Sequence, residues 1–181
     1  LISGDGGDEL FGGYTFRYKK FLSLTSESST PIEKVLAYLQ CHERDRVSDQ
    51  EKIFNQKSKF SWESIHKQLL PYFDNTLSRL EQVFLADYNG KLLYNFNPIN
   101  SRIIKGFDME LLTPILNDEL ISSAPHMKKS SKYDEINDIG KLPLREILEK
   151  NGHDSLVGKQ KLGFNVNTIN LWKNHGHALC K

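Results

Sequence analysis

The densest chemistry in the chain lies at its start, in Ser3-Gly4-Asp5-Gly6-Gly7-Asp8-Glu9. Glycines allow a tight turn and bring backbone N–H groups close to a ligand, and a helix opening behind them adds positive potential. Those are features of a phosphate site, yet Asp5, Asp8 and Glu9 crowd the same turn. A carboxylate ~4 Å from a phosphate is repelled by about 4 kcal/mol per unit charge at an effective dielectric of ~20. A cation must therefore separate the two, and Mg²⁺ shared between one or two carboxylates and phosphate oxygens is the usual solution. Read alone, the run is a Mg²⁺–nucleotide loop or, as is commoner, an acidic surface turn with an Asp cap. A calcium loop is a third reading, but the bidentate Glu that an EF-hand needs downstream is missing.

The other reactive side chains have plainer readings. His42, His66, His126 and His153 are scattered, and His175-x-His177 lacks further ligands at zinc spacing, which makes surface histidines the expectation. Cys41 follows Leu39 on an expected helix and reads as a small buried apolar group. Trp62, Trp172 and the tyrosines read as packing residues. Glu43-Arg44-Asp45-Arg46 reads as a solvated face, and Lys161 by itself is one surface lysine among many.

Positioning the acidic turn requires a strand before it and a helix after it. Leu1-Ile2 reads as the end of a buried strand, and a helix is expected from Asp8 as N-cap. Leu10, Tyr14, Tyr18 and Phe21 recur at helical spacing and place Gly12 and Gly13 inside that helix. Each glycine there costs about 1 kcal/mol relative to Ala, so something must press close to the backbone. Ser23 to Thr30 reads as a loop. Thr30-Pro31-Ile32-Glu33 is a capping box with Pro at the first helical position, backed by a stripe of Ile32, Val35, Leu36 and Leu39. Ser48-Asp49-Gln50-Glu51 is a second capping box. Further helices are expected from about Trp62 to Tyr72 and from about Thr76 towards Tyr94, the latter with Leu77, Leu80, Phe84 and Tyr88 on its apolar face. Asn117 to Ser123 reads as a short helix and Lys128 to Asp138 as a charged loop. Leu142 to Lys150 reads as a helix with Leu144, Ile147 and Leu148 on one side and Asn151-Gly152 as its stop.

The whole chain is consistent with one domain or a large piece of one, at 181 residues. It carries 24 basic and 23 acidic side chains, so charge gives no argument for nucleic acid or an anionic membrane. Two distant cysteines, Cys41 and Cys180, suggest no disulfide framework and point to a reducing cytoplasm. No apolar run approaches the ~20 residues that span a bilayer. The start resembles neither a signal peptide nor an initiator segment, which suggests a fragment.

The run Ser3 to Tyr14 is similar, nearly residue for residue, to the signature of the asparagine synthetase family, Ser-Gly-(Asp/Glu)-Gly-x-Asp-Glu-(Leu/Val)-Phe-Gly-Gly-Tyr. Lys141-Leu142-Pro143-Leu144-Arg145, then Lys159-Gln160-Lys161-Leu162-Gly163-Phe164 and Trp172, resemble that family's closing pattern. Thr113 to Leu120 is similar to its Val-Pro-Phe-Leu-Asp-x-x-Leu segment, with Asn117 for the usual Asp, Leu112 where Arg is common, and Ser101-Arg102 as the trace of an Asp-Arg-x-x-Met run.

The resemblance implies an α/β, adenine-nucleotide α-hydrolase-like (pyrophosphatase-type) synthetase domain, of which residues 1–181 would be the mostly helical C-terminal part with a strand remnant at its start. It implies activation of the side-chain carboxylate of aspartate by ATP with Mg²⁺, giving β-aspartyl-AMP and pyrophosphate. Ammonia, free or released from glutamine by an N-terminal glutaminase domain, then displaces AMP. By matching positions, Asp8 would hold Mg²⁺ and Ser3, Gly4, Gly6 and Gly7 would meet ATP or pyrophosphate. Asp5 would be the acid/base carboxylate, and Lys161 would neutralise charge on the α-phosphate and the tetrahedral intermediate. The glutaminase domain and an upstream Ser-Gly-Gly-x-Asp-Ser loop are not in these residues, so the piece alone is expected to be inactive. The family setting is cytoplasmic and allows a homodimer. Two rivals stand beside this reading: a β-lactam synthetase-like or peptide-cyclising ligase, and a non-catalytic nucleotide-binding remnant. Lactam formers carry Tyr at the position of Asp5.

Overall fold

The computed structural model describes residues 1–42 and 60–157, together with 170, 173, 174 and 176. The expectations for Glu43–Arg46, the Ser48 capping box, Lys159–Phe164, Trp172, His175, His177 and Cys180 lie outside them. The chain divides into two units, Leu1–Arg145 and Glu146–Lys181.

In the first unit, Leu1-Ile2 does pair as a strand would. Ile2 bridges Leu112 in parallel, with Ser3 N–H donating to the Leu112 carbonyl at 2.9 Å and Leu112 N–H to that of Leu1 at 2.8 Å. The expected burial is not met, since Leu1, Ile2 and Leu112 are all exposed.

The helix after the turn differs from the expectation at both ends. It is a short α1, Gly7–Phe11, whose N-cap is Gly6 at φ 90° and not Asp8. Gly6 serves there because the left-handed backbone excludes ordinary side chains and the Leu116 side chain occupies the space a Cβ would need. At its other end Gly12 turns left-handed at φ 69°, and its N–H and that of Gly13 donate to the Asp8 carbonyl. The two glycines thus end a helix and do not sit within one, a left-handed helix stop. Close approach to their backbone is real: Phe84 and Tyr133 lie against Gly12, and Asp8 and Lys141 against Gly13.

Helix α2, Thr15–Leu24, and α3, Pro31–Cys41, pack against each other. The Thr30–Glu33 capping box forms reciprocally, with Thr30 N–H donating to the Glu33 carboxylate at 2.7 Å. The buried stripe of α3 is Val35, Ala37, Tyr38 and Cys41, whereas Ile32 and Leu36 are exposed. The rotation has a polar cause, because the Tyr38 hydroxyl donates to buried Asp87 at 2.8 Å and turns that face inward.

Helix α4, Trp62–Leu69, runs on into a 3-10 turn at Leu70–Tyr72, as expected. The next expected helix, towards Tyr94, is two elements, α5, Arg79–Ala86, and a π-helix, Asp87–Phe96, and α6, Asn97–Lys105, follows beyond its expected end. Pro98 marks the last change, since it donates no N–H and its ring crowds the carbonyl four residues back. Leu80 and Phe84 are buried, Leu77 is exposed, and Val83, Ala86 and Asp87 join the core.

Asn117 caps α7, Asp118–Ser123, accepting the Leu120 N–H at 2.9 Å as an Asp would. The segment expected as a loop from Lys128 to Asp138 instead starts an antiparallel hairpin, β1 Tyr133–Asp134 with β2 Ile139–Gly140. Asp138 turns the chain at φ 58°, accepts the Tyr133 hydroxyl at 2.8 Å and pairs with Lys19 at 2.9 Å.

The main core joins α2, α3, α5 and β1. Tyr18 stands edge-on to both Phe84 and Tyr133, with centroids 5.1 and 5.3 Å away. A second cluster gathers Leu10 and Phe11 of α1 with Leu92 and Ala124. Helix α8, Leu142–Lys150, stops where Gly152 adopts φ 73°, and Asp154–Val157 in the second unit forms a short α9. Ile147 is exposed, so the expected apolar face of α8 is only partly covered.

Candidate active site

The three segments singled out in the first unit converge on the acidic turn. Ile115 and Leu116 lie under Gly6 and Gly7, and Leu144 also approaches Gly7. Lys141, at φ 59°, donates its N–H to the Phe11 carbonyl at 2.8 Å. Gly140 makes this possible, because a Cβ there would run into the Gly12 carbonyl. The hairpin thereby delivers the Lys141 ammonium to Asp8, Nζ to Oδ1, at 2.9 Å. The pair crosses the face of Gly13, where any side chain would overlap both groups. Asp8 and Lys141 both keep part of their surface in solvent.

Asp5 sits on the approach to α1. Its N–H donates to the Ser3 hydroxyl at 3.2 Å, and its carboxylate accepts the Asn100 amide of α6 at 2.8 Å. No Cβ-sized obstacle lies near Gly4, so that side of the turn is open. Ser3, Gly4, Asp5 and Asp8 keep surface in solvent, whereas Gly6 and Gly7 are buried beneath Ile115 and Leu116, and Lys161 lies outside the described residues.

Glu9 faces the other way. It is buried and accepts the Tyr14 hydroxyl, and burial raises its carboxyl above the ordinary carboxylate range. Behind Tyr14 lies a buried network. Arg17 pairs with Asp87 at 2.8 Å, Asp87 accepts from Tyr38, and Arg17 meets His42, whose Nδ1 lies 2.9 Å from the Tyr38 carbonyl. His42 is thus no surface histidine. Cys41 is buried as expected, and burial pushes its thiol up to about 11.

Sequence reasoning passed over Lys141, Asn100, Arg17 and Asp87 as individuals. Lys141 opens the Lys141–Arg145 segment, but only the hairpin reveals that it reaches Asp8.

The donor set can be weighed against Mg²⁺. Among the described residues no group of three or more His, Cys, Asp or Glu converges as a metal cage. A magnesium ion bridging protein to polyphosphate needs only one or two carboxylates, because phosphate and water oxygens complete its shell. A partly exposed carboxylate in a glycine turn fits that shared mode.

A family model described as asparagine synthase matches residues 1–180. The chain belongs to the asparagine synthase family. Neither the curated proteins nor the solved structures compared with it include a match. Membership of the asparagine synthase family makes this a ligase of the asparagine synthetase kind, with ATP-dependent amidation as its general chemistry. Among the described residues no helix is long and apolar enough to cross a membrane.

Proposed function

We propose that the chain supplies the acidic turn and the closing segments of a synthetase domain that converts aspartate to asparagine through β-aspartyl-AMP. The observation that carries the reading is the Asp8–Lys141 pair held over Gly13 in a glycine turn, within a chain that the asparagine synthase family covers almost end to end.

Asp8 would hold Mg²⁺, which when bound offsets repulsion between the turn and the pyrophosphate of ATP. Lys141 aims that carboxylate, holding its Oδ1 at 2.9 Å. Ser3 and Gly4 offer a hydroxyl and open backbone to the phosphates, and the buried Gly6 and Gly7 shape the turn behind them. Asp5, oriented by Asn100, takes a proton from ammonia as it attacks the acyl carbon and AMP leaves. Lys161 neutralises charge on the α-phosphate and on the tetrahedral centre. The nitrogen comes from glutamine through a glutaminase domain or from free ammonia, in a cytoplasmic setting.

The two steps separate in the intact enzyme. Asp8→Asn should abolish aspartate-dependent pyrophosphate release, and a wild-type rate with Mg²⁺ would refute the role. Asp5→Asn should leave pyrophosphate release largely intact while lowering asparagine formation by about 10²–10⁴-fold. Equal loss of both readouts would remove Asp5 from the second step.

A further inference from the structure

A cavity of about 1010 Å³ is lined by Tyr14 and lies between α2, α3, α4 and the π-helix. It reaches the upper size of small-molecule sites. Tyr72, Tyr94 and Phe96 form an aromatic wall, Leu69 and Ile65 an aliphatic one, and two cations, Arg17 and Lys91, line it.

Lys91 occupies an unusual position. Its Nζ lies 3.6 Å from the Tyr14 ring centroid and 4.9 Å from that of Phe96, and among the described residues no carboxylate pairs with it. The neighbouring cation is different, because Arg17 is matched by Asp87. The cavity therefore carries an ammonium with no direct ion-pair partner among the described residues, embedded in rings and half removed from water. Two aromatic faces stabilise an ammonium without neutralising it. A ligand that brings one negative charge and an apolar body complements both the charge and the walls. A phosphate dianion would overfill the charge, and a neutral molecule would leave it unmatched.

We propose that this cavity is a binding site for a small aromatic or branched organic monocarboxylate, separate from the acidic turn, with Lys91 receiving the carboxylate and Tyr94 closing over the body. Tyr14 links the two places: one edge of it bonds Glu9, next to Asp8, while its face carries Lys91. Occupation of the cavity would thus be felt at the turn.

Protonation supports the assignment. Burial first, then Arg17, lowers the Lys91 ammonium to about 8, against the pull of Asp87, Glu9 and Asp8. His42 and Tyr38 from α3 also line the cavity. A bound carboxylate favours the charged lysine, so binding should weaken as pH rises above about 8.

The test is calorimetric titration of the intact protein with benzoate, benzamide, inorganic phosphate and aspartate, without nucleotide. Benzoate should bind at least tenfold more tightly than benzamide or phosphate, and weaken above pH 8. Lys91→Met should lose the benzoate preference and Lys91→Arg retain it. Tyr94 is largely exposed, so Tyr94→Ala should fold normally and still weaken benzoate severalfold. Indistinguishable benzoate and benzamide, or unchanged benzoate affinity in both Lys91→Met and Tyr94→Ala, would overturn the site. Aspartate competing with benzoate at equal affinity would overturn its separateness. None of these readouts depends on the ligase chemistry, so failure of one proposal leaves the other standing.

Discussion

At the scale of single residues, the acidic turn works because particular atoms leave no room for alternatives. Gly13 is the clearest case, since the Asp8–Lys141 pair fills the volume beside its Cα. Gly13→Ala should destabilise the protein by about 1–3 kcal/mol, as overpacking does, and lower aspartate-dependent pyrophosphate release with it. Urea unfolding alongside the release assay checks both, and an unchanged midpoint would contradict the packing. Asp87 is the second case. It is fully buried, paired with Arg17 and bonded to Tyr38. Asp87→Asn strands a buried guanidinium and should cost about 3–5 kcal/mol. A loss below about 1 kcal/mol in denaturant unfolding would mean that Arg17 finds water.

At the scale of elements, the hairpin β1–β2 is the part that sequence periodicity hid. Its strands are two residues each, too short for alternation to register. It is held by Asp138, whose side chain joins Tyr133 to Lys19. Burial acts to raise the Asp138 carboxyl, but the contacts with Lys19 and Tyr133 outweigh it and hold it below the ordinary carboxylate range. A depressed folded-state value means that stability is present above the unfolded carboxylate value and is lost as pH falls through the folded one. The difference in unfolding midpoint between wild type and Asp138→Asn should therefore be present near pH ~6 and vanish well below pH ~4. A difference that persists at the acid end would show that the contact is not ionic. Asn tolerates the left-handed backbone at this position, so the substitution isolates the charge.

At the scale of the molecule, the first unit is organised so that its hairpin, its parallel Ile2–Leu112 bridge and α6 all meet the turn. Gly140 couples them, because its bare backbone rests on the Gly12 carbonyl. Gly140→Ala should push the hairpin off α1, draw Lys141 away from Asp8 and lower both stability and pyrophosphate release. Asp138→Asn, which loosens the hairpin only at its tip, should leave release near wild type at neutral pH. Equal losses of activity from the two variants would mean that hairpin stability, and not the placement of Lys141, matters.

What the sequence determined by itself was local chemistry: a glycine turn bearing Asp5 and Asp8, the capping box at Thr30, the short helix from about Asn117 and the Gly152 stop. Each depends on groups within a few residues of one another, so spacing alone exposes it. The tertiary structure decided the rest. It ended α1 at Phe11, turned α3 so that Tyr38 faces Asp87, and brought Lys141 and Asn100 to carboxylates 133 and 95 positions away. Those outcomes hang on long-range contacts, in which burial and a charge from a distant segment outweigh local periodicity.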